Sequence, residues 1–154
     1  MTAEIGQPAP AFTLKDNAGN DVSLSDFAGK SAVALVFYPF TFTGTCEGEL
    51  CQLRDDYSDF EAAGVQVLAV SCDSRHSQRV WAEQQGYNFP VLSDFWPHGA
   101  VAKEYGVFND TLGCAIRATF FIDKHGVIAD EFRTDSLGTA RESGRYREAF
   151  AKVA

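Results

Sequence analysis

No stretch of this chain is long and apolar enough to cross a bilayer. The longest continuous apolar run, residues 32–40, is nine residues, against ~20 for a membrane helix. The opening Met-Thr-Ala-Glu-Ile-Gly lacks the basic start and apolar stretch of a secretory signal, so a cytoplasmic location is expected. Positive charge is short as well. Thirteen Lys plus Arg face 21 Asp plus Glu, a net charge of −8, which argues against a nucleic-acid partner, whose binding starts from clustered cations. There is no C-x-x-C: the nearest of the four cysteines are spaced Cys46-x4-Cys51, with Cys72 and Cys114 far off, and His76, His98 and His125 are scattered. That spacing excludes the usual zinc motifs, and neither metal nor cofactor is expected. Repeats, low-complexity tracts and linkers are lacking too, so residues 1–154 are read as a single domain. A domain of this size buries roughly 70% of its unfolded surface and needs no disulfide staples. In a reducing compartment its cysteines are either reactive thiols or small buried hydrophobes.

What is present alternates between strand and helix. Residues 11–14 and 22–24 read as two short strands around a turn rich in Asp, Asn and Gly. Residues 32–38 are a β-branched and aromatic run without alternation, the pattern of a central strand covered on both faces. Residues 46–63 read as one helix, with Leu50, Leu53, Tyr57 and Phe60 in a single stripe that Cys46 extends, and Gly64 placed to cap it. A buried strand (65–70), a helix (74–85), a short strand (90–93) and a brief helix (100–105) follow. A hairpin (118–123 and 127–132) and a terminal helix (138–153) complete the pattern. The order gives an α/β fold with a mixed sheet. One arrangement of that kind is the thioredoxin-like fold with an N-terminal extension, which periodicity alone does not select.

The chemistry concentrates in Tyr38-Pro39-Phe40-Thr41-Phe42-Thr43-Gly44-Thr45-Cys46. A buried strand stops at a proline, a polar loop follows, and a cysteine falls in the first turn of a helix. Helix N-termini carry unpaired N–H groups and partial positive charge, which favour a thiolate. Thr43 stands where its hydroxyl can donate to that sulfur or to an oxygen bonded to it. Pro39 fixes the exit from the sheet and shields the sulfur from water. The plainer alternative makes Cys46 a packing residue and the threonines ordinary caps.

Pro39-x3-Thr43-x2-Cys46 resembles the peroxiredoxin signature P-x-x-x-[TS]-x-x-C, and it stands where that family has it. Gly6-x-Pro8-x-Pro10-x-Phe12-x-Leu14 extends the likeness to the start of the chain. The segments 93–101 and 105–108 resemble the alkyl hydroperoxide reductase E branch. The resemblance implies a thioredoxin-like fold with the peroxiredoxin N-terminal β-hairpin, a mixed central sheet and flanking helices. It implies a peroxidase acting on hydrogen peroxide and organic hydroperoxides, with Cys46 attacking the peroxide and leaving as sulfenic acid. Arg117 resembles the family arginine beside the reactive sulfur; the competing reading pairs it with Asp123 or another acid on the sheet. Glu49 resembles the family's polar residue one turn into the helix, orienting Arg117 or a backbone group, or else merely complements the helix dipole.

The two branch resemblances disagree at Cys51. The E-type pattern is a one-cysteine one, resolved by an external thiol such as mycothiol with a mycoredoxin. A cysteine five residues on resembles the peroxiredoxin Q branch, where it resolves the sulfenic acid as an intramolecular disulfide for a thioredoxin-type reductase. Cys72 and Cys114 are weaker resolving candidates, read first as spectators. A thioredoxin-type thiol–disulfide oxidoreductase lacks its C-x-x-C here, and a non-catalytic binding domain has no need of Pro39, Thr43, Cys46 and Arg117 together. The family also implies a homodimer or higher homo-oligomer.

Overall fold

The computed structural model of the chain describes residues 3–134, 138–142 and 144–153. Thr13–Asp16 (β1) and Asp21–Ser23 (β2) pair antiparallel. The carboxylate of Asp16 closes the turn between them by accepting the N–H groups of Ala18 and Asn20, both at 2.9 Å. This hairpin begins two residues later than its expected start. Leu24, expected at the end of the second strand, instead opens a 3-10 turn, Leu24–Phe27, where Asp26 accepts the Ser23 N–H.

Ala32–Phe37 (β3) is buried at every position. An unalternating apolar strand needs cover on both faces, and it has it. Gly44–Asp55 (α1) and Tyr57–Ala62 (α2) follow, where one helix over 46–63 was expected. Asp56 breaks it, with φ −93° and ψ 7°. Its side chain accepts from the Gln52 amide at 2.9 Å, an i,i+4 pair that supports the end of α1. The stripe through Leu53, Tyr57 and Phe60 runs on across the break, so its spacing could not reveal it. Gly64 follows α2 at φ +72°, as a helix-ending glycine should.

Val65–Ser71 (β4) lies parallel to β3, and Arg75–Gln85 (α3) is capped at its start by the Ser74 hydroxyl and closed by left-handed Gly86. Val91–Ser93 (β5), Ala100–Glu104 (α4), Ala118–Ile122 (β8) and Ile128–Arg133 (β9) match their expected elements to within two residues. Before β8 comes a small hairpin, Phe108–Asn109 (β6) with Cys114–Ala115 (β7), whose strands are too short for any period to show. Gly144–Val153 (α5) starts six residues later than expected; Ser143, within the expected helix, lies outside the described residues, as do Met1, Thr2 and Ala154.

Among the described residues seven strands form one sheet in the order β2-β1-β5-β4-β3-β8-β9. β3, β4 and β5 run parallel, while β1, β8 and β9 join antiparallel. This is a thioredoxin-like mixed sheet with helices on its faces. Cys46, Leu50 and Leu53 of α1 pack with Ala34, Val36, Val67 and Ala69 on one face. Leu35, Phe37, Leu68 and Val70 pack with Tyr105 and Phe120 on the other. Leu50 and Leu53, buried to 0% and 4% exposure, together contribute ~3–6 kcal/mol to holding α1 on the sheet. The C-terminal ends of β3 and β4, the start of β8 and the start of α1 therefore meet at one edge. No helix among the described residues is long and apolar enough to span a membrane.

Candidate active site

Pro39 is buried directly after β3 and turns the chain out of the sheet. The loop it opens is held under strain: Phe42 has φ +70°, a left-handed conformation that a residue with a Cβ adopts at a cost of ~1–3 kcal/mol. Its neighbour is tied down. The Thr41 N–H donates to Asp73 Oδ2 at 2.8 Å, the Ser71 hydroxyl donates to the same oxygen at 2.7 Å, and the Thr41 and Tyr38 hydroxyls share a bond of 3.0 Å. The end of β4 thus clamps the loop that carries the reactive segment.

Thr43 is the N-cap of α1, and the first helical bond runs from the Glu47 N–H to the Thr43 carbonyl at 2.9 Å. The N–H groups of Gly44, Thr45 and Cys46 consequently have no intrahelical acceptor. The Thr43 side chain does not cap them. Nor does it face the sulfur as expected: its hydroxyl donates back to the Phe40 carbonyl at 2.8 Å. The expectation of a Thr43 proton aimed at Cys46 is corrected for this state, because the extended N-cap backbone turns the hydroxyl into its own loop. Cys46 itself is a free thiol with 0% exposure.

One turn on, Glu49 is the centre of a buried ion-pair cluster. Its Oε1 accepts Arg117 Nη1 at 2.6 Å and Arg141 Nη2 at 2.9 Å, while Oε2 accepts the Arg141 backbone N–H at 2.7 Å and Nε at 2.9 Å. Arg117 is therefore paired with Glu49 and not with Asp123, which instead closes the β8–β9 turn by accepting the N–H groups of His125 and Val127. All three side chains of the cluster are buried. Among the described residues two guanidiniums thus share one buried carboxylate, in a dry site where charges act far more strongly than on the surface.

Arg141 is the buried member of this cluster that sequence reasoning missed. It lies in the irregular stretch before α5, where its Nη1 also donates to the Phe37 carbonyl at 2.6 Å. Charge alone does not mark it among the other arginines of that stretch. Its significance comes from a partner, Glu49, 92 residues away.

Burial alone would raise the Glu49 carboxyl, but hydrogen bonds and charge from Arg141, then charge from Arg117, hold it below its ordinary 4.5. Since the folded value lies under the unfolded one, this stabilisation is complete above the unfolded value and is lost as pH falls through the folded one. The denaturant midpoint is expected to hold level above about pH 5 and to fall below about 4.5. Asp130, held low by Arg145 against the raising effect of burial, adds to the same slope. Glu49→Gln should flatten part of it; an unchanged slope in urea titrations of the variant would rule Glu49 out as a source.

The remaining thiols divide. Cys51 is half-buried on the flank of α1, donating to Gln85 Oε1 at 3.5 Å with the Tyr87 hydroxyl 3.7 Å away. Burial, with Asp94 adding, pushes the Cys72 thiol up to about 12, and burial raises that of Cys114. Both stay protonated at neutral pH and are poor nucleophiles. Trp81, with no exposure, is core.

A thioredoxin-like sheet that presents a buried cysteine at a helix start, behind a strand-ending proline and beside a guanidinium cluster, defines a thiol-based redox enzyme. Residues 5–131 match the AhpC/TSA family. Over 124 residues the chain is 48% identical to alkyl hydroperoxide reductase E of Mycobacterium tuberculosis, covering 80% of this chain and 81% of that one. It is 41% identical over 124 residues to chloroplastic peroxiredoxin Q of Sedum lineare, covering 80% and 65%. Among solved structures, Enterococcus faecalis AhpC superposes with a TM-score of 0.88 at 28% identity, covering 98% of this chain and 92% of that one. The chain belongs to the AhpC/TSA family: it is a peroxiredoxin, a thiol-dependent peroxidase.

Proposed function

We infer that Cys46 is the peroxidatic cysteine and that Cys51 resolves it. The observation that carries the first assignment is the buried thiol in the N-terminal turn of α1, one turn from the buried Glu49–Arg117–Arg141 cluster. As thiolate, Cys46 attacks one oxygen of hydrogen peroxide or an organic hydroperoxide. The S–O bond forms, the O–O bond breaks, and hydroxide or alkoxide leaves and takes a proton, giving water or alcohol and Cys46 sulfenic acid. Negative charge grows on the departing oxygen. Donors fixed in advance lower that barrier, and losing one such donor typically costs ~3–4 kcal/mol. The N–H groups of Thr45 and Cys46 and the Arg117 guanidinium take this role. The Thr43 hydroxyl joins them by rotating from the Phe40 carbonyl onto the peroxide. Pro39 keeps water from the sulfur, and Glu49 orients Arg117.

Cys51 then attacks the sulfenic sulfur. Five residues along a helix correspond to a rise of about 7.5 Å and a Cα separation of about 8.6 Å. A disulfide tolerates at most ~7 Å. The first turn of α1 therefore melts for the bond to close, and Gly44 and Gly48, poor helix formers on either side of Cys46, lower the cost. Thioredoxin returns this disulfide to thiols; in the one-cysteine alternative a mycoredoxin or low-molecular-weight thiol attacks the sulfenic acid instead, releasing water and leaving a mixed disulfide on Cys46. Exposed Phe40, Phe42, Phe95 and Trp96 stand near the C-terminal ends of β3 and β5, an apolar edge that suits a second copy of the chain in a homodimer.

Peptide mapping after one equivalent of peroxide, without reductant, is expected to recover Cys46 joined to Cys51, with lower helical circular dichroism than the reduced protein. Cys51 recovered as free thiol, with Cys46 as sulfenic acid, would replace this cycle by the one-cysteine one.

A further inference from the structure

Gln85, the last residue of α3, holds α1 at three points, one of them next to Cys46 and another Cys51 itself. Its Nε2 donates to Glu47 Oε1 at 2.7 Å, immediately after Cys46. Its Oε1 accepts the Cys51 thiol at 3.5 Å, and its backbone carbonyl accepts Arg54 Nη1. Trp81, on the preceding turn of α3, adds its indole N–H to the same Glu47 oxygen at 3.3 Å. The second cysteine is thus fastened to a neighbouring helix by the same side chain that fastens the turn which must unwind. Freeing Cys51 and melting the turn around Cys46 both require the Gln85 amide to let go.

We propose that Gln85 is a latch between α3 and α1 that sets how fast the helix opens, and through it how much peroxide the enzyme survives. The consequence for survival rests on the resolving role of Cys51; the latch itself does not. Two reactions compete for Cys46 sulfenic acid. In one, the Cys51 sulfur attacks the sulfenic sulfur, the S–S bond forms and the hydroxyl leaves with the thiol proton as water. In the other, the sulfenate attacks a second hydroperoxide, giving sulfinate while the peroxide is reduced to water or alcohol. The closed helix permits only the second. Every increase in opening therefore favours disulfide over irreversible oxidation in the same proportion.

The test reads opening first without peroxide chemistry. In a Cys46→Ser background, the rate at which iodoacetamide modifies Cys51, followed by peptide mass, is expected to rise about three- to tenfold on adding Gln85→Ala, as two side-chain hydrogen bonds are lost. Gln85→Glu keeps the length and an acceptor for Cys51 but sets a carboxylate against Glu47, and should also open the helix. With Cys46 present, stopped-flow kinetics of Gln85→Ala should show an unchanged first oxidation and a disulfide phase faster by the same factor. The peroxide dose for half-inactivation should rise in step. An unchanged Cys51 alkylation rate in both variants, or slower disulfide closure, would overturn the latch even if thermal stability fell. A wild-type map with Cys51 free defeats the resolving role alone, leaving alkylation to decide the latch.

Discussion

Replacing Cys46 by serine is expected to lower peroxidase activity by about 10⁴-fold or more, a loss of the size seen when a catalytic nucleophile is removed. A serine hydroxyl is nearly isosteric with the thiol but stays protonated at neutral pH. The substitution should fold, because it changes little volume in the apolar layer with Leu50 and Tyr38 and leaves a small polar atom next to the N–H groups that open α1. Cys72→Ser and Cys114→Ser are expected to keep most activity, since burial keeps both thiols protonated. Peroxide consumption with dithiothreitol as reductant, alongside circular dichroism, checks all three. Turnover near the normal rate in the Cys46 variant would move the chemistry elsewhere.

Arg117→Lys is expected to cost roughly ten- to a thousandfold in the second-order rate with peroxide, equivalent to ~1.4–4 kcal/mol of barrier. The charge survives this change, so the loss measures geometry. Arg117 engages Glu49 through Nη1 at 2.6 Å, and a guanidinium presents further donors in the same rigid plane. Lysine has one nitrogen on a flexible stem. It can satisfy the buried Glu49 carboxylate or reach the sulfur and peroxide, but cannot do both from one fixed position. Rapid-mixing measurement of the first oxidation isolates this step from resolution and reduction. An unaltered rate constant would place Arg117 outside the reacting centre.

The parts of this protein that could be read from its sequence are those governed by local rules. Pro39 and Cys46 mark a strand end and a helix start within eight residues, and in the structure β3 ends at Phe37 and α1 begins at Gly44, each two residues earlier. The strands β3, β4 and β8 were visible because a strand covered on both faces is apolar at nearly every position. What escaped depends on distant partners or on choices between nearly equal local bonds. Arg141 became part of the site only when the chain brought it to Glu49. The direction of the Thr43 hydroxyl was open because Phe40 O competes with the sulfur for one proton. Glu49 and Arg117 were named from family likeness, with the opposing readings left standing, since sequence spacing says nothing about which of several acids an arginine will meet.

The break at Asp56 gives α1 an independence that a single helix over 46–63 would lack. Twelve residues are about the shortest helix that holds in water unaided, so α1 owes its order chiefly to the sheet beneath it and to α3 beside it. α2 has anchors of its own in Phe60, with 2% exposure, and in the Asp59–Arg147 ion pair. In the proposed cycle each turnover then includes a small folding reaction in the first turn of α1, and the break at Asp56 keeps α2 out of it. The rest of the molecule behaves as a rigid frame that this segment leaves and rejoins. On that cycle the enzyme's working part is a reversible foldon, and resolution by Cys51 depends on local stability as much as on bond-making.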